Sequence, residues 1–521
     1  MTQTTSPAAP LAPAAPHTRA GPVPFSERIG AMDIARGVAL LGIFVMNIGA
    51  FSDPAADYMT PANPATATAT EVWWHIITHG LFESKFYSLF SLLFGMGFIV
   101  LTDRVQARRS SPTAVALRRF GFLALLGLIH AHLLWFGDIL FIYACCSLAL
   151  LLCRTLRAKT LLILGGSLTL AGDILILLMT LPGVFFGSGQ PAPESASAMP
   201  HALTTPADSP SDPQSDLADA RARAAESRDA ALARQNDAHD ENHATPTTDS
   251  PSSGIPATDI ETSTEPLRGW AFIKDAFANS RGSSPSQTPE WRAAETAAYR
   301  DGPWLDLAAF RSVTWAFILV FALFGAAPRI VGLFFLGAGL IRSDFFSPTR
   351  HRLHRTLATL ALTVGAPVAL FTAYQQTHAF PHDGSNFPPI YVLWQALHQF
   401  GAILIPFGML SAAALLATRA ARTPSGTLAK ALHPISCTGR MGLTNYFLQT
   451  VVGTTLCYFY GFALFGTLDP IEKALVVLIT YAAQLLISTL WFRAFAIGPI
   501  EWLWRSFTYL RLPKFLTTPV R

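Results

Sequence analysis

The stretch Met32-Asp-Ile-Ala-Arg-Gly-Val-Ala-Leu-Leu-Gly-Ile-Phe-Val-Met-Asn-Ile-Gly-Ala-Phe51 holds two charged side chains, Asp33 and Arg36, both in its first turns. Beyond them only Asn47 interrupts the apolar run. About twenty such residues are what a helix needs to cross the hydrocarbon core of a bilayer. The pattern recurs at 86–103, 119–136, 139–153, 160–186, 312–341, 357–376, 393–417, 442–465 and 471–492, which gives ten expected spans. Composition agrees, with 51% hydrophobic and only 13% charged residues, where a soluble chain carries about a quarter charged. Of those charges 29 fall between Pro191 and Arg311, so the rest is poorer still. An ordinary soluble enzyme and a nucleic-acid binder are both excluded. The expected fold is an all-α polytopic bundle of about ten transmembrane helices, solvated by membrane lipids.

Loop charges orient it. Arg104, Arg108, Arg109 and Arg118, then Arg154, Arg157 and Lys159, then Arg342 to Arg355, then Arg419 to Arg440, and the tail after Arg493 are basic. The alternate loops carry Asp53, Asp57, Glu71 and Glu83, then Asp138, then a long acidic insert, then Asp383 and Asp469. Basic loops stay on the cytoplasmic side, so both termini are expected there. The organisation that follows is a disordered cytoplasmic tail (1–31) and a five-helix membrane half (32–186). Next come a disordered acidic extracytoplasmic insert (187–265), an interfacial segment with short helices (266–311), a second five-helix half (312–510) and a cytoplasmic tail (511–521). The insert is too poor in large apolar residues to offset its ordering entropy. Gly137 and Asp138 join the third and fourth spans as a hairpin, and Pro328-Arg329 predicts a break in the sixth. Five cysteines show neither a disulfide framework nor metal-ligand spacing.

Polar side chains inside a span cost roughly 2.5–3.5 kcal/mol each on insertion scales, so they are the candidate functional residues. Asp33 and Arg36 are three apart and can pair on one helix face, and Asn47 lies three turns further along nearly the same face. His75 and His79 share a face at i,i+4, a ligand spacing without a third ligand, so no metal site is expected. Satisfied interfacial histidines are the alternative reading. Lys85 heads an apolar run, as a snorkelling lysine would. His130, two turns inside the hairpin, and Asp138 at its tip form a candidate proton-handling pair, with a structural histidine as the alternative. Asp173 poses the same question. Arg440, Asn445 and Gln449 share a stripe that is either interhelical glue or a cavity lining. Glu501 and Arg505 are spaced to pair.

Five segments in order resemble the YeiB-like bacterial membrane proteins, a family known as a domain of unknown function. They are Asp33-x-x-Arg36-Gly37, Lys85-Phe86 with Ser91 and Gly95-x-Gly97, and Gly137-Asp138-Ile139-Leu140. The last two are Gly439-Arg440-Met441 with Asn445 and Gln449, and Gly498-Pro499-x-Glu501-Trp502-x-Trp504-Arg505. The first helices of that family are similar to transmembrane acyltransferases, including the enzyme that acetylates heparan glucosamine. The resemblance implies a bacterial inner-membrane location and acyl transfer from a cytoplasmic acyl-CoA, a co-substrate rather than a tightly bound cofactor, to a small-molecule or glycan acceptor across the membrane. Related sugar O-acyltransferases carry a histidine ten residues past an arginine in their first helix. Asn47 stands at that spacing from Arg36 and cannot act as a base.

That role would pass to His75, His79 or His130, with Asp138 and Lys85 as further catalytic candidates. Asp33, Arg36, Asn47, Arg440, Asn445 and Gln449 are the candidate substrate-binding residues. Two other classes remain open, a proton-coupled transporter of a small solute and an envelope scaffold. A homo-oligomer is compatible with each.

Overall fold

In a computed structural model of the chain, residues 30–186, 268–279, 288–383 and 385–516 are described. The first tail to residue 29, the acidic insert and the last five residues lie outside them. The chain is an all-α polytopic membrane protein. Among the described residues the only β pairing is one bridge, Phe495 with Leu516. Through it the expected tail folds back, with Ala496 N–H donating to Phe515 O at 2.8 Å.

The elements run α1 (Gly30–Ser52), α2 (Ala55–Met59), α3 (Ala69–Ile77), α4 (Lys85–Ala107), α5 (Pro112–Ile129), α6 (Leu140–Cys153), α7 (Ala158–Leu178) and α8 (Leu181–Phe186). After the insert come α9 (Gly269–Asn279), α10 (Pro289–Arg300), α11 (Trp304–Phe321), α12 (Ala327–Arg342), α13 (His351–Leu360), α14 (Ala366–Ala379) and α15 (Ile390–Arg422). The last four are α16 (Thr427–Arg440), α17 (Gly442–Cys457), α18 (Pro470–Ala494) and α19 (Pro499–Tyr509).

Among the described residues eight helical runs are long and apolar enough to cross a membrane. The fourth and ninth expected spans are instead the short helices α6, of 14 residues, and α17, of 16. At 1.5 Å per residue they reach about 21 and 24 Å, less than the hydrocarbon thickness of about 30 Å. The α5–α6 hairpin therefore ends in the protein interior, with Trp135 and Asp138 both buried at its tip.

The break expected at Pro328 does not occur. Residues 304–342 form one continuous helical run, and a π-helical turn at Ala322–Ala326 precedes the proline. Such a turn shifts the hydrogen-bond register, so the missing proline N–H is absorbed without a kinked end. The real interruption lies just before the second expected span, within the helical run 69–107. There α3 and a π-turn end at Glu83, and Ser84 takes a left-handed φ of 63° before α4 begins.

The bundle has two distinct ends. At the basic one, Arg342 donates to Leu156 O and stands 3.5 Å from Asp103, and Arg118 Nε donates to Thr508 O. At the opposite end Lys473 pairs with Asp53 at 2.7 Å and Arg292 pairs with Asp57. Between them α4, α7 and α12 pack in backbone contact. A Cβ at Gly95 would collide with Phe334 O, one at Gly337 with Leu92 O, and Gly165 faces Gly332 the same way. Small residues let membrane helices approach this closely.

The short helices of the 266–311 region bury one face each, through Ile273, Trp291 and Tyr299. Glu295 of α10 is buried beside them, with both carboxylate oxygens 3.3 Å from Ala55 N. Burial pushes its carboxyl up to about 7, the Ala55 hydrogen bond pulling the other way. A folded-state value raised above the usual 4.5 gives stability that is full below that value and is lost as pH rises through 7. Protection of the α10 amides, measured by hydrogen exchange and corrected for intrinsic rate, should thus be lower at pH 8 than at pH 5. Glu295→Gln should remove the difference; an unchanged pH dependence in that variant would rule the carboxyl out.

Candidate active site

A slot opens at the basic end between α1, α4, α5, α6, α16, α17 and α19, with a volume of about 330 Å³. One face of α4 lines it from Phe90 to Val105, fifteen residues or about 22 Å along the axis. Its walls carry six arginines, Arg36, Arg104, Arg108, Arg119, Arg440 and Arg505, against two carboxylates, Asp33 and Glu501. Neither carboxylate is idle. Asp33 Oδ1 accepts from Arg36 Nη1 at 3.0 Å. Glu501 accepts from Leu443 N, Thr444 N and Thr444 Oγ1 at 2.7, 3.0 and 2.6 Å, so it caps α17 and does not form the Glu501–Arg505 pair expected from spacing. Burial still raises its carboxyl, against those hydrogen bonds.

Burial holds the Arg440 and Arg505 guanidiniums below their ordinary value, as desolvated cations require. Arg119 stacks on Trp504 at 3.6 Å from the ring centroid, and Trp504 Nε1 returns a bond to Arg119 O. This guanidinium is held in place rather than solvated freely. The inner wall is apolar and aromatic, with Ile43, Phe90, Phe94, Leu140, Tyr143 and Tyr446. Such a site suits a long molecule with several anionic groups at one end and an apolar stem.

The slot closes on the tip of the α5–α6 hairpin. Behind Tyr446, at 5.0 Å between ring centres, lies His130. His130 Nδ1 is 3.2 Å from Asp138 Oδ1, with both side chains fully buried, and Nε2 is 2.9 Å from Thr450 Oγ1. Asp138 Oδ2 also accepts from Phe141 N at 2.8 Å, which fixes the carboxylate at the first turn of α6. The carboxylate lies beside one ring nitrogen, close enough to stabilise a positive charge on the ring, and the Thr450 hydroxyl occupies the other.

A second polar cluster sits toward the opposite end, where the helical run 69–107 is interrupted. His79 Nδ1 bonds Glu83, its Nε2 is 2.7 Å from Gln376 Oε1, and its ring stacks on His398 at 4.3 Å. His75 stacks on His79 in turn, at 5.5 Å. Lys85 is wholly buried, its Nζ donating to His79 O at 3.0 Å and lying 2.8 Å from His398 Nε2. It does not snorkel. Deeper still, buried Arg329 pairs with Asp173 and donates to Gln399 Oε1 at 2.6 Å and Ser88 Oγ at 3.2 Å.

A family profile described as a protein of unknown function (DUF418) matches residues 340–511. Over 500 residues the chain is 26% identical to the uncharacterized protein YxaH of Bacillus subtilis, covering 93% of this chain and 95% of that one. Over 502 residues it is 27% identical to the uncharacterized protein YeiB of Escherichia coli, covering 92% and 96%. The chain is thus similar over nearly its whole length to YeiB-like proteins. An uncharacterized 39.9 kDa protein of Bacillus acidopullulyticus is 33% identical over 168 residues, 32% of this chain and 46% of that protein. No solved structure matches.

In this YeiB-like chain the matched region supplies Arg440, Glu501, Trp504 and Arg505 to the slot, and Gln376 and His398 to the second cluster. Of the residues singled out in the sequence, Asp33, Arg36 and Arg440 line the slot, and His130 and Asp138 meet behind its wall at Tyr446. His75, His79 and Lys85 form the separate cluster. Asn445 and Gln449 do not line the slot. Asn445 donates to Thr438 O and Ser488 Oγ, and Gln449 to Leu40 O and Gln484 Oε1, so they are glue between α17, α16, α18 and α1. Asn47 is half-buried and also off the slot wall. Sequence reading missed His398, Gln376 and Arg119, and saw Arg104 and Arg108 only as topology markers.

Proposed function

We propose that this YeiB-like protein is a transmembrane acyltransferase that accepts an acyl group from a cytoplasmic acyl-CoA and delivers it to an acceptor at the outer face of the bacterial inner membrane. The observation that carries the proposal is the slot, with six arginines on its walls, an apolar and aromatic inner wall, and a buried histidine–carboxylate pair one ring behind that wall at Tyr446. Arg36, Arg440, Arg505 and their neighbours would hold the phosphates, leaving the thioester to reach inward toward Tyr446. His130 Nε2 would take the proton of the acceptor hydroxyl or amine as its heteroatom attacks the thioester carbon. The C–S bond then breaks, and the leaving thiolate recovers the proton. Asp138 would hold the imidazole and stabilise the imidazolium.

The test is calorimetric titration of the detergent-purified protein with acetyl-, succinyl- and long-chain acyl-CoA, against free CoA. Saturable binding should weaken about tenfold or more in Arg36→Ala and in Arg505→Ala, since a bond between charged groups contributes about 1.5–3 kcal/mol. A folded sample that binds no acyl-CoA sinks the proposal. A proton-coupled transporter would then stand first, supported by the polar chain Glu83, His79, His398 and Lys85. Asp173 is a poor proton carrier for it, because Arg329 already pairs with it.

A further inference from the structure

Arg311 of α11 is wholly buried, among the largest fully buried side chains. Its Nη1 donates to His132 O at 3.1 Å, on the π-turn that begins at His130. Its Nε and Nη2 have no hydrogen-bond partner among the described residues. The groups around it are in the same state. Tyr299 and Tyr458 are fully buried, their rings 4.8 Å apart, and both hydroxyls are unpartnered. Trp315, one turn along α11, has an unpartnered indole N–H. The Tyr458 ring lies 5.9 Å from the guanidinium and the Trp304 ring 5.3 Å.

One unpartnered buried donor is ordinary, but a buried cation that pairs with no carboxylate among the described residues, beside two unpartnered tyrosine hydroxyls and an indole, is not; Glu295, the nearest buried carboxylate in this cluster, is bonded to Ala55 N instead. A buried charge is tolerated when paired and hydrogen-bonded, and every group here can donate. What satisfies them together is an acceptor carrying negative charge. We infer that Arg311, Tyr299 and Tyr458 form an oxyanion site at the end of the bundle opposite the slot, taking a carboxylate or phosphate group. Trp304 and Tyr460 are each 42% exposed and pack 5.6 Å apart over this centre. The site is one aromatic layer from the surface. It holds whether or not the slot binds acyl-CoA, since it shares no residue with the slot.

The test is thermal unfolding of the purified full chain in neutral detergent, titrated with inorganic phosphate and with acetate at ionic strength fixed by chloride. A second arm compares nanodiscs of phosphatidylcholine with nanodiscs containing phosphatidylglycerol, to separate a free anion from a lipid headgroup. A saturable rise in midpoint is expected in one arm, with apparent affinity reduced about tenfold in Tyr458→Phe, which loses one hydroxyl donor to a charged group. Arg311→Gln should abolish it. Should that variant fail to fold, Tyr299→Phe replaces it as the second variant. No saturable rise in either arm, or a rise that Tyr458→Phe leaves unchanged, overturns the site and leaves buried water as what satisfies these groups.

Discussion

Replacing Asp173 by leucine is expected to destabilise the folded bundle by about 3–5 kcal/mol, the cost of leaving a buried partner charge uncompensated. Arg329 is wholly buried, Asp173 meets it from near the middle of the 158–185 helical run, and after the change only Gln399, Ser88 and the Ala402 carbonyl remain to bond it. Asp173→Asn keeps an acceptor but removes the counter-charge, so it should lie between the two. The double variant Asp173→Leu with Arg329→Met should recover most of the loss, because an apolar pair carries no desolvation cost. Unfolding in mixed micelles measures all three. If Asp173→Leu unfolds at the wild-type midpoint, the ion pair does not hold α7 to α12.

Loss of His130 should be the largest functional effect. His130→Gln, which keeps polarity and much of the volume, is expected to lower transfer of radiolabelled acyl groups from acyl-CoA into the envelope fraction by about 10²–10⁴-fold, the contribution of a positioned general base. Acyl-CoA binding should persist, since none of the arginines proposed to hold its phosphates changes. Asp138→Asn should reduce the rate as well, by removing the negative charge beside the imidazole. Parallel assay of His79→Gln decides between the two histidine clusters. Activity lost in His79→Gln and retained in His130→Gln would move the base to the cluster at the span interruption.

Much of this architecture was legible because hydrophobic length and loop charge are local signals. The Asp33–Arg36 pair follows from helical spacing alone, and eight of the ten apolar runs are long helices. Depth was not legible. The apolar run at 139–153 has the composition of a span, yet its helix is too short to cross, and only packing of Trp135 against Phe51 at 4.2 Å reveals where the tip rests. Pro328 drew attention to a break and away from Arg329, its neighbour, which is the best-partnered buried cation of the bundle. The slot was partly hidden for the same reason as the topology was clear. Arginines placed at helix ends orient a membrane protein, and nothing in a linear sequence separates those that face lipid headgroups from those that turn inward together. Lys85 read as an ordinary snorkelling residue because its partner, His398, lies 313 positions away.

The glycine seam of α4, α7 and α12 also has a mechanical meaning. Backbones that meet without intervening side chains interlock like the teeth of a ratchet, and sliding one past another would first require prising them apart. The α4 face of the slot is therefore a fixed stator. Any breathing of the slot, to admit a bulky head or release a product, falls to the facing side, where the α5–α6 hairpin and α19 meet through the softer contact of Arg119 on Trp504.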